Sequence, residues 1–427
     1  MTLKILLIQP CSDSQRWKGQ KSHFGWPPLG LGYVAAATPP GYAVRIVDEA
    51  VEAIDFDADA DLIGIGIMTP NALRGYAIAD EFRRRGRPVV IGGIHASMLP
   101  DEARGHADAV VIGEAENTWP QLLWDFAAGR LQGLYQAERH LDLWDGPSPR
   151  RDLFRQQAYR FPSTVMATRG CPHGCSFCST SRFFGRKYRK RNPRNVAREI
   201  ASLHDRLFIF IDDNLCFDRE YSLELLRLIA PLRKWWVCQV TLNVAEDDRL
   251  LCAMRKAGCI GVLVGIESIN EDNIAFIGKG INVVSEYREK IRRIHQARIF
   301  VQGSFVFGFD NDDIHSFMPV LDFVFSTRLE SANFCVLTPL PGTAIFEKLD
   351  REGRLLHKDW SKYDRLNVVY EPSKLSAHAL QHGIIDCYLR TYSYRGILGR
   401  LPWLSKRVLM ALAFNLSYRK GAYGQWK

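Results

Sequence analysis

The 427-residue sequence has no apolar run near the ~18 residues that a membrane-spanning helix needs, which argues against an integral α-helical membrane protein. It lacks an internal repeat of solenoid period and has no low-complexity segment, so repeat arrays and biased disordered chains are excluded as well. The opening run Leu3–Ile8 has neither the length nor the small-residue cleavage site of a secretory signal, and a cytoplasmic location is expected. Acidic residues are missing between Arg182 and Arg198, which carries eight Lys or Arg. That stretch also lacks regularly interleaved aromatics, so a nucleic-acid partner is not expected. An anionic cofactor, an anionic substrate and a solvated loop all remain compatible with it.

What is present is a chain 47% hydrophobic and 24% charged, with net charge +9, as in ordinary globular enzymes. Its length calls for more than one core. Strand candidates Lys4–Gln9, Ala43–Val47, Leu62–Ile67, Val89–Gly93 and Ala109–Ile112 alternate with helical stretches Leu29–Ala37, Leu73–Arg84 and Trp119–Ala128. Continuous apolar strands between helices predict a doubly wound, Rossmann-like parallel sheet, with ligands beyond its carboxyl edge. Residues 131–160 break this pattern. Alternation resumes with Thr164–Thr168, Leu207–Ile211, Trp236–Leu242, Ile260–Gly265, Phe300–Phe307 and Ala332–Leu337, predicting a partial or complete β/α barrel. The expected division is 1–135, a linker at 136–160, a barrel at 161–370 and a helical extension at 371–427.

Ten cysteines in a reducing compartment stay thiols or bind metal. Seven are scattered, and Cys216, Cys238, Cys252, Cys259 and Cys335 sit in or beside apolar stretches where free Cys is a small hydrophobe. The other three form Arg169-Gly-Cys-Pro-His-Gly-Cys-Ser-Phe-Cys178, with Cys171, Cys175 and Cys178 spaced Cys-x3-Cys-x2-Cys just after the first barrel strand. Cubane clusters generally take four thiolates, so three close cysteines without an evident fourth leave one iron open. Zinc is the competing metal, but no suitably spaced fourth Cys or His pair follows, and His173 lies inside the loop itself.

This motif, with Phe177 as its aromatic residue, resembles the signature of the radical S-adenosylmethionine (SAM) superfamily. The resemblance implies a (β/α)6 partial TIM barrel whose 4Fe–4S cluster chelates SAM and cleaves it to a 5′-deoxyadenosyl radical. It also implies a low-potential electron donor such as flavodoxin or ferredoxin, and a small-molecule substrate. In relatives, SAM contacts come from segments matching Phe210-Ile-Asp-Asp-Asn214, Gly265-Ile-Glu-Ser268 and Gly303-Ser-Phe-Val-Phe-Gly308, giving Asp212, Asp213, Glu267, Ser268, Gly303 and Phe305 as candidates.

The N-terminal part resembles the cobalamin-binding domain that precedes the barrel in a large subgroup of these enzymes. The likeness lies in Trp26-Pro-Pro-Leu-Gly-Leu-Gly-Tyr33, Asp48-Glu49, Ile63–Thr69, Ile91-Gly-Gly-Ile-His-Ala-Ser97 and Val111-Ile-Gly-Glu-Ala-Glu116. Pro10, Thr69, Gly92, Gly93, His95, Gly113 and Glu114 are the implied cobalamin contacts. There is no Asp-x-His-x-x-Gly motif, so His95 is expected beside the corrin rather than on its cobalt. Trp360-Ser-Lys-Tyr-Asp364 and Asn367-Val-Val-Tyr370 resemble segments of members acting on lipids and tetrapyrroles. The subgroup implies methylation of an unactivated carbon; an oxidative or ring-forming reaction, and a non-catalytic iron–sulfur redox protein, are the alternatives. Leu401–Lys420 combines apolar with basic residues, and either lies on an anionic membrane or packs on its own domain.

Overall fold

The computed structural model describes residues 2–12, 25–402 and 408–425. Trp403, Leu404, Lys406 and Arg407 of the tail lie outside the described residues. Six parallel strands build the first sheet: β1 (Lys4–Gln9), β2 (Ala43–Asp48), β3 (Leu62–Gly66), β4 (Val89–Gly92), β5 (Ala109–Ile112) and β6 (Leu134–Gln136), in the order β2-β1-β3-β4-β5-β6. Strand β1 is buried from Ile5 to Ile8 because both faces are covered. Ile5 and Leu7 pack with Leu31, Trp119 and Leu122 of one helical layer. Leu6 and Ile8 pack with Ile78 and Phe82 of the other. Residues 131–136 were expected outside the sheet, yet β6 pairs with β5. Only Tyr135 of that edge strand is buried, which leaves a single apolar position as its signal.

The second sheet contains β7 (Thr164–Val165), β10 (Leu207–Phe210), β11 (Trp235–Val240), β12 (Cys259–Glu267), β13 (Phe300–Phe307) and β14 (Ser331–Val336), all parallel and in sequential order. Its two end strands are unpaired with one another, so the barrel is partial. The single strand expected at Thr164–Thr168 is split. Asp212 accepts the amides of Ala167 and Thr168 at 3.0 and 2.5 Å, replacing strand partners, and the chain turns into a short hairpin of β8 (Thr168–Arg169) with β9 (Arg189–Lys190).

An open edge such as β14 exposes unpaired backbone groups. Here the helix Ala377–Thr391 and the residue that ends it supply tyrosine hydroxyls to it: Tyr392 bonds both Ala332 N and O, and Tyr388 accepts from Phe334 N. The last helix, Val408–Gln425, seats Ala411 and Asn415 against the domain, and the Tyr418 hydroxyl accepts from Gln302 at 2.8 Å. No described helix is long and apolar enough to cross a membrane.

Candidate active site

The cysteine loop leaves β8 through Gly170, whose φ of +86° and closeness to Lys187 O leave no room for a Cβ. It closes on itself through Cys178 N donating to Cys175 O, 3.1 Å. Ser176 then ties it to the two segments beyond β12 and β14, donating to Ile277 O (3.0 Å) and accepting from Ile345 N (3.2 Å). The three thiols are half-buried. Burial pushes Cys171 above its ordinary value and Cys175 up to about 11, so both stay protonated until a metal displaces the proton. Among the described residues no three His, Cys, Asp or Glu side chains converge on one ion. A cubane places each thiolate on a separate iron, and three thiols on one loop fit that donor set.

A charged ring surrounds the thiols. Glu267 ends β12 in the left-handed region (φ +65°), at a register shift against β13, and accepts from the buried Lys279 ammonium at 2.7 Å. Lys279 also donates to Gly265 O at 2.8 Å and lies close enough to act on the thiols of Cys171 and Cys175. Sequence reasoning missed Lys279; its only signal is a lysine between two glycines, twelve residues after Glu267. Asp213 accepts from Thr180 Oγ1 at 3.0 Å, and its charge also reaches Cys171. Neighbouring Asn214 is buried, and neither polar atom of its side chain has a hydrogen-bond partner among the described residues. Such an amide is a place for a polar ligand atom.

The side chains of the other expected SAM contacts are engaged within the protein. Asp212 is spent on Ala167 N, Thr168 N and Thr168 Oγ1. Ser268 accepts from Asn270 N and Asn273 Nδ2, fixing the turn after β12. Phe305 stacks on Phe334 in the core, and a Cβ on Gly303 would press on Leu329 and Ile266. Both therefore face the helices. Strand alternation puts Gln302 and Ser304 of β13 on the opposite face. Phe177 is partly buried and packs on the main core.

At the carboxyl edge of the first sheet, Pro10 O accepts from Asn71 Nδ2 (2.8 Å), and Ser97 Oγ links the two following loops by donating to Gly93 O and accepting from Gly113 N. Gly113 has nothing within 4 Å of a notional Cβ, while Met68 beside Thr69 is 54% exposed. Open backbone beside an exposed apolar side chain fits a corrin ring. Gly92 meets only ordinary contacts. Gly93 is different: its φ is +99° and a Cβ would strike Ile67 O at 2.5 Å, so its glycine serves backbone packing. The side chain of His95 is likewise engaged within the protein. It is fully buried, with Nδ1 3.2 Å from Thr69 Oγ1 and Nε2 3.2 Å from Glu102, whose carboxylate also takes the Trp360 indole N–H at 3.0 Å.

Glu114 is a bridge between the sheets rather than an open contact. Its carboxylate accepts from Arg169 (2.8 Å) and Arg189 (2.7 Å), and Arg169 also reaches Glu116 at 2.6 Å. Burial raises the Glu114 carboxyl, but the two guanidiniums outweigh it and hold it below the usual carboxylate range. Arg169 stands two residues before Cys171. Further along the same seam, Met98 fills the space beside Gly342, beyond β14. The carboxyl edges of the two sheets thus face one another.

A nucleotide-like sheet joined edge to edge with a partial barrel carrying a Cys-x3-Cys-x2-Cys loop defines a radical iron–sulfur enzyme with an accessory cofactor domain. Residues 165–324 match the radical SAM superfamily, and residues 19–123 match the B12 binding domain. The chain is 33% identical over 412 residues to bacteriochlorophyllide d C-12(1)-methyltransferase of Chlorobaculum tepidum, covering 93% of this chain and 89% of that protein. It is 30% identical over 418 residues to the C-8(2)-methyltransferase of the same organism, covering 93% and 92%. The radical SAM methyltransferase TsrM from Kitasatospora setae, solved with cobalamin and a [4Fe-4S] cluster, superposes with a TM-score of 0.68 at 18% identity, over 82% of this chain and 75% of that one. The chain belongs to the cobalamin-dependent radical SAM methyltransferases.

Proposed function

We propose that this enzyme methylates an unactivated carbon of a hydrophobic, tetrapyrrole-like biosynthetic intermediate. The carrying observation is the apposition of the two carboxyl edges at the Glu114–Arg169 seam, beside the cysteine loop. It sets a group held over the first sheet near the reacting end of the barrel, as transfer of a methyl group to a substrate carbon requires. The names of the two Chlorobaculum relatives support the tetrapyrrole class. When bound, the cluster supplies the electron that cleaves SAM, and the corrinoid supplies the methyl group.

The chain's own residues hold and shield these groups. Cys171, Cys175 and Cys178 would hold the cluster, and Phe177, packed on the main core, anchors their loop. Glu267 suits the ribose hydroxyls, and Asp213 the SAM ammonium, since a carboxylate accepts from either. Lys279 neutralises Glu267, so the burial of that carboxylate is compensated. Pro10, Thr69, Gly92 and Gly113 form the corrin seat. We place the boundary between the two units within residues 136–160.

Reconstituted enzyme given bacteriochlorophyllide d, SAM and a reductant should yield a methylated pigment with both S-adenosylhomocysteine and 5′-deoxyadenosine. Formation of 5′-deoxyadenosine without S-adenosylhomocysteine would replace methyl transfer by oxidative or ring-forming chemistry.

A further inference from the structure

We propose that Arg182, Arg186 and Lys187, together with Phe217 on the cluster loop's side, form the docking surface for an acidic, low-potential electron-carrier protein. The inference rests on the radical reading of the cysteine loop, which needs electrons delivered one at a time.

Five of the eight cations between Arg182 and Arg198 fall outside this patch. Arg189 pairs with Glu114, Lys190 with Asp218 and Arg191 with Glu199. Arg194 and Arg198 are exposed on the helix Pro193–Ser202. The first three behave differently. Arg182, Arg186 and Lys187 are exposed, and none has an ion-pair partner among the described residues. Arg186 lies directly on the cluster loop: its guanidinium is 3.4 Å from Pro172 O, and a Cβ on Gly174 would meet that guanidinium at 2.9 Å. Gly174 itself is exposed between Cys171 and Cys175. The patch therefore includes a solvent-facing stretch of the very loop that holds the cluster.

An apolar group adjoins the same loop. Phe217 is 46% exposed, packs edge-on to His173 of the cluster loop (5.8 Å between ring centroids) and lies against Tyr188 at 5.2 Å. A half-exposed aromatic packed on the cluster loop, with Arg186 on that same loop and Lys187 next to Tyr188, is the form of a transient, electrostatically steered interface. An acidic carrier would be drawn by the three charges and seat near Phe217. One electron then passes to the cluster, the carrier being oxidised and the cluster reduced by one.

The test compares holoenzyme with an Arg182→Glu/Arg186→Glu/Lys187→Glu variant, using a reduced bacterial flavodoxin and, separately, titanium(III) citrate. Flavodoxin binding to wild type, followed by titration, should weaken as salt rises toward ionic strengths where the Debye length is about 8 Å. In the variant, flavodoxin affinity and the stopped-flow rate of flavodoxin-driven cluster reduction should fall by about tenfold or more. Titanium citrate should reduce both proteins equally, with SAM binding unchanged. A triple Arg/Lys variant (Arg182→Lys/Arg186→Lys/Lys187→Arg) should retain wild-type rates. The proposal is overturned if flavodoxin reduces the charge-reversed enzyme at the wild-type rate. It is also overturned if both donors lose efficiency together, which would assign the cations to substrate or to cluster integrity. A wild type with no reducible cluster would overturn the radical reading along with it.

Discussion

Replacing Glu114 by Gln removes the one carboxylate that neutralises two buried guanidiniums, whose side chains are 5% and 7% exposed. Breaking a buried pair while its partner stays in place costs about 3–5 kcal/mol. Arg169 keeps Glu116, and Arg189 keeps the carbonyls of Leu141 and Phe184 at 2.8 and 3.0 Å. The lower end, about 3 kcal/mol, is therefore expected. Glu116→Gln removes only one of the two carboxylates on Arg169, and about 1 kcal/mol is expected. Unfolding of the holoenzyme by urea at pH 7 measures both. The folded carboxyl of Glu114 is held below its unfolded value. Its contribution is thus complete above about pH 4.3 and lost as pH falls through the depressed folded value, so wild type and Glu114→Gln should converge in acid. Adding Arg189→Met to Glu114→Gln should recover part of the loss, because no unpaired charge then remains at that position. A Glu114→Gln enzyme as stable as wild type at pH 7, with no coupling to Arg189 in the double-mutant cycle, would refute the electrostatic account of this seam.

Anaerobically reconstituted protein should bind about four irons and four sulfides, and the Cys171→Ala/Cys175→Ala/Cys178→Ala variant should show no cluster absorbance, whereas Cys216→Ala should keep it. Retention of the cluster by the triple variant would sink the ligand assignment. Glu267→Gln should weaken SAM binding by about 1–2 kcal/mol, near 5–30-fold by equilibrium dialysis, with iron content unchanged; wild-type affinity would put the ribose contact elsewhere.

The parts legible in the sequence were those written in local pattern. Strands β1 and β5 match their expected limits because the apolar run of each stops at a polar or glycine residue, and β13 matches through its apolar ends and the glycine that follows it. Cys171, Cys175 and Cys178 were legible because their spacing within one loop carries the chemistry. What escaped depends on partners distant in the chain. Glu114 looked like an open strand-end carboxylate; its cations lie 55 and 75 residues on. His95 looked like a loop residue, and Glu102, which accepts from the indole of Trp360 258 residues away, closes it into the interior. Of Asp212 and Asp213, adjacent and chemically identical just past the end of β10, one carboxylate goes to the amides of the split first strand and the other stays beside the thiols.

These distant partners also divide the seam by function. At one point Arg169 joins the cysteine loop to the loops after β5; at another, the His95–Glu102–Trp360 group joins the loop after β4 to the segment beyond the barrel. Two separate attachments fix an orientation, where one would leave a hinge. Arg169, Glu114, His95 and Trp360 are buried and the partly exposed Glu102 is spent on His95 and Trp360, so neither attachment fills the open space at Gly113 and Met68. The residues that hold the sheets together are therefore distinct from those left to bind. This separation lets a methyl donor and a radical-generating loop keep a fixed spacing while the substrate enters between them.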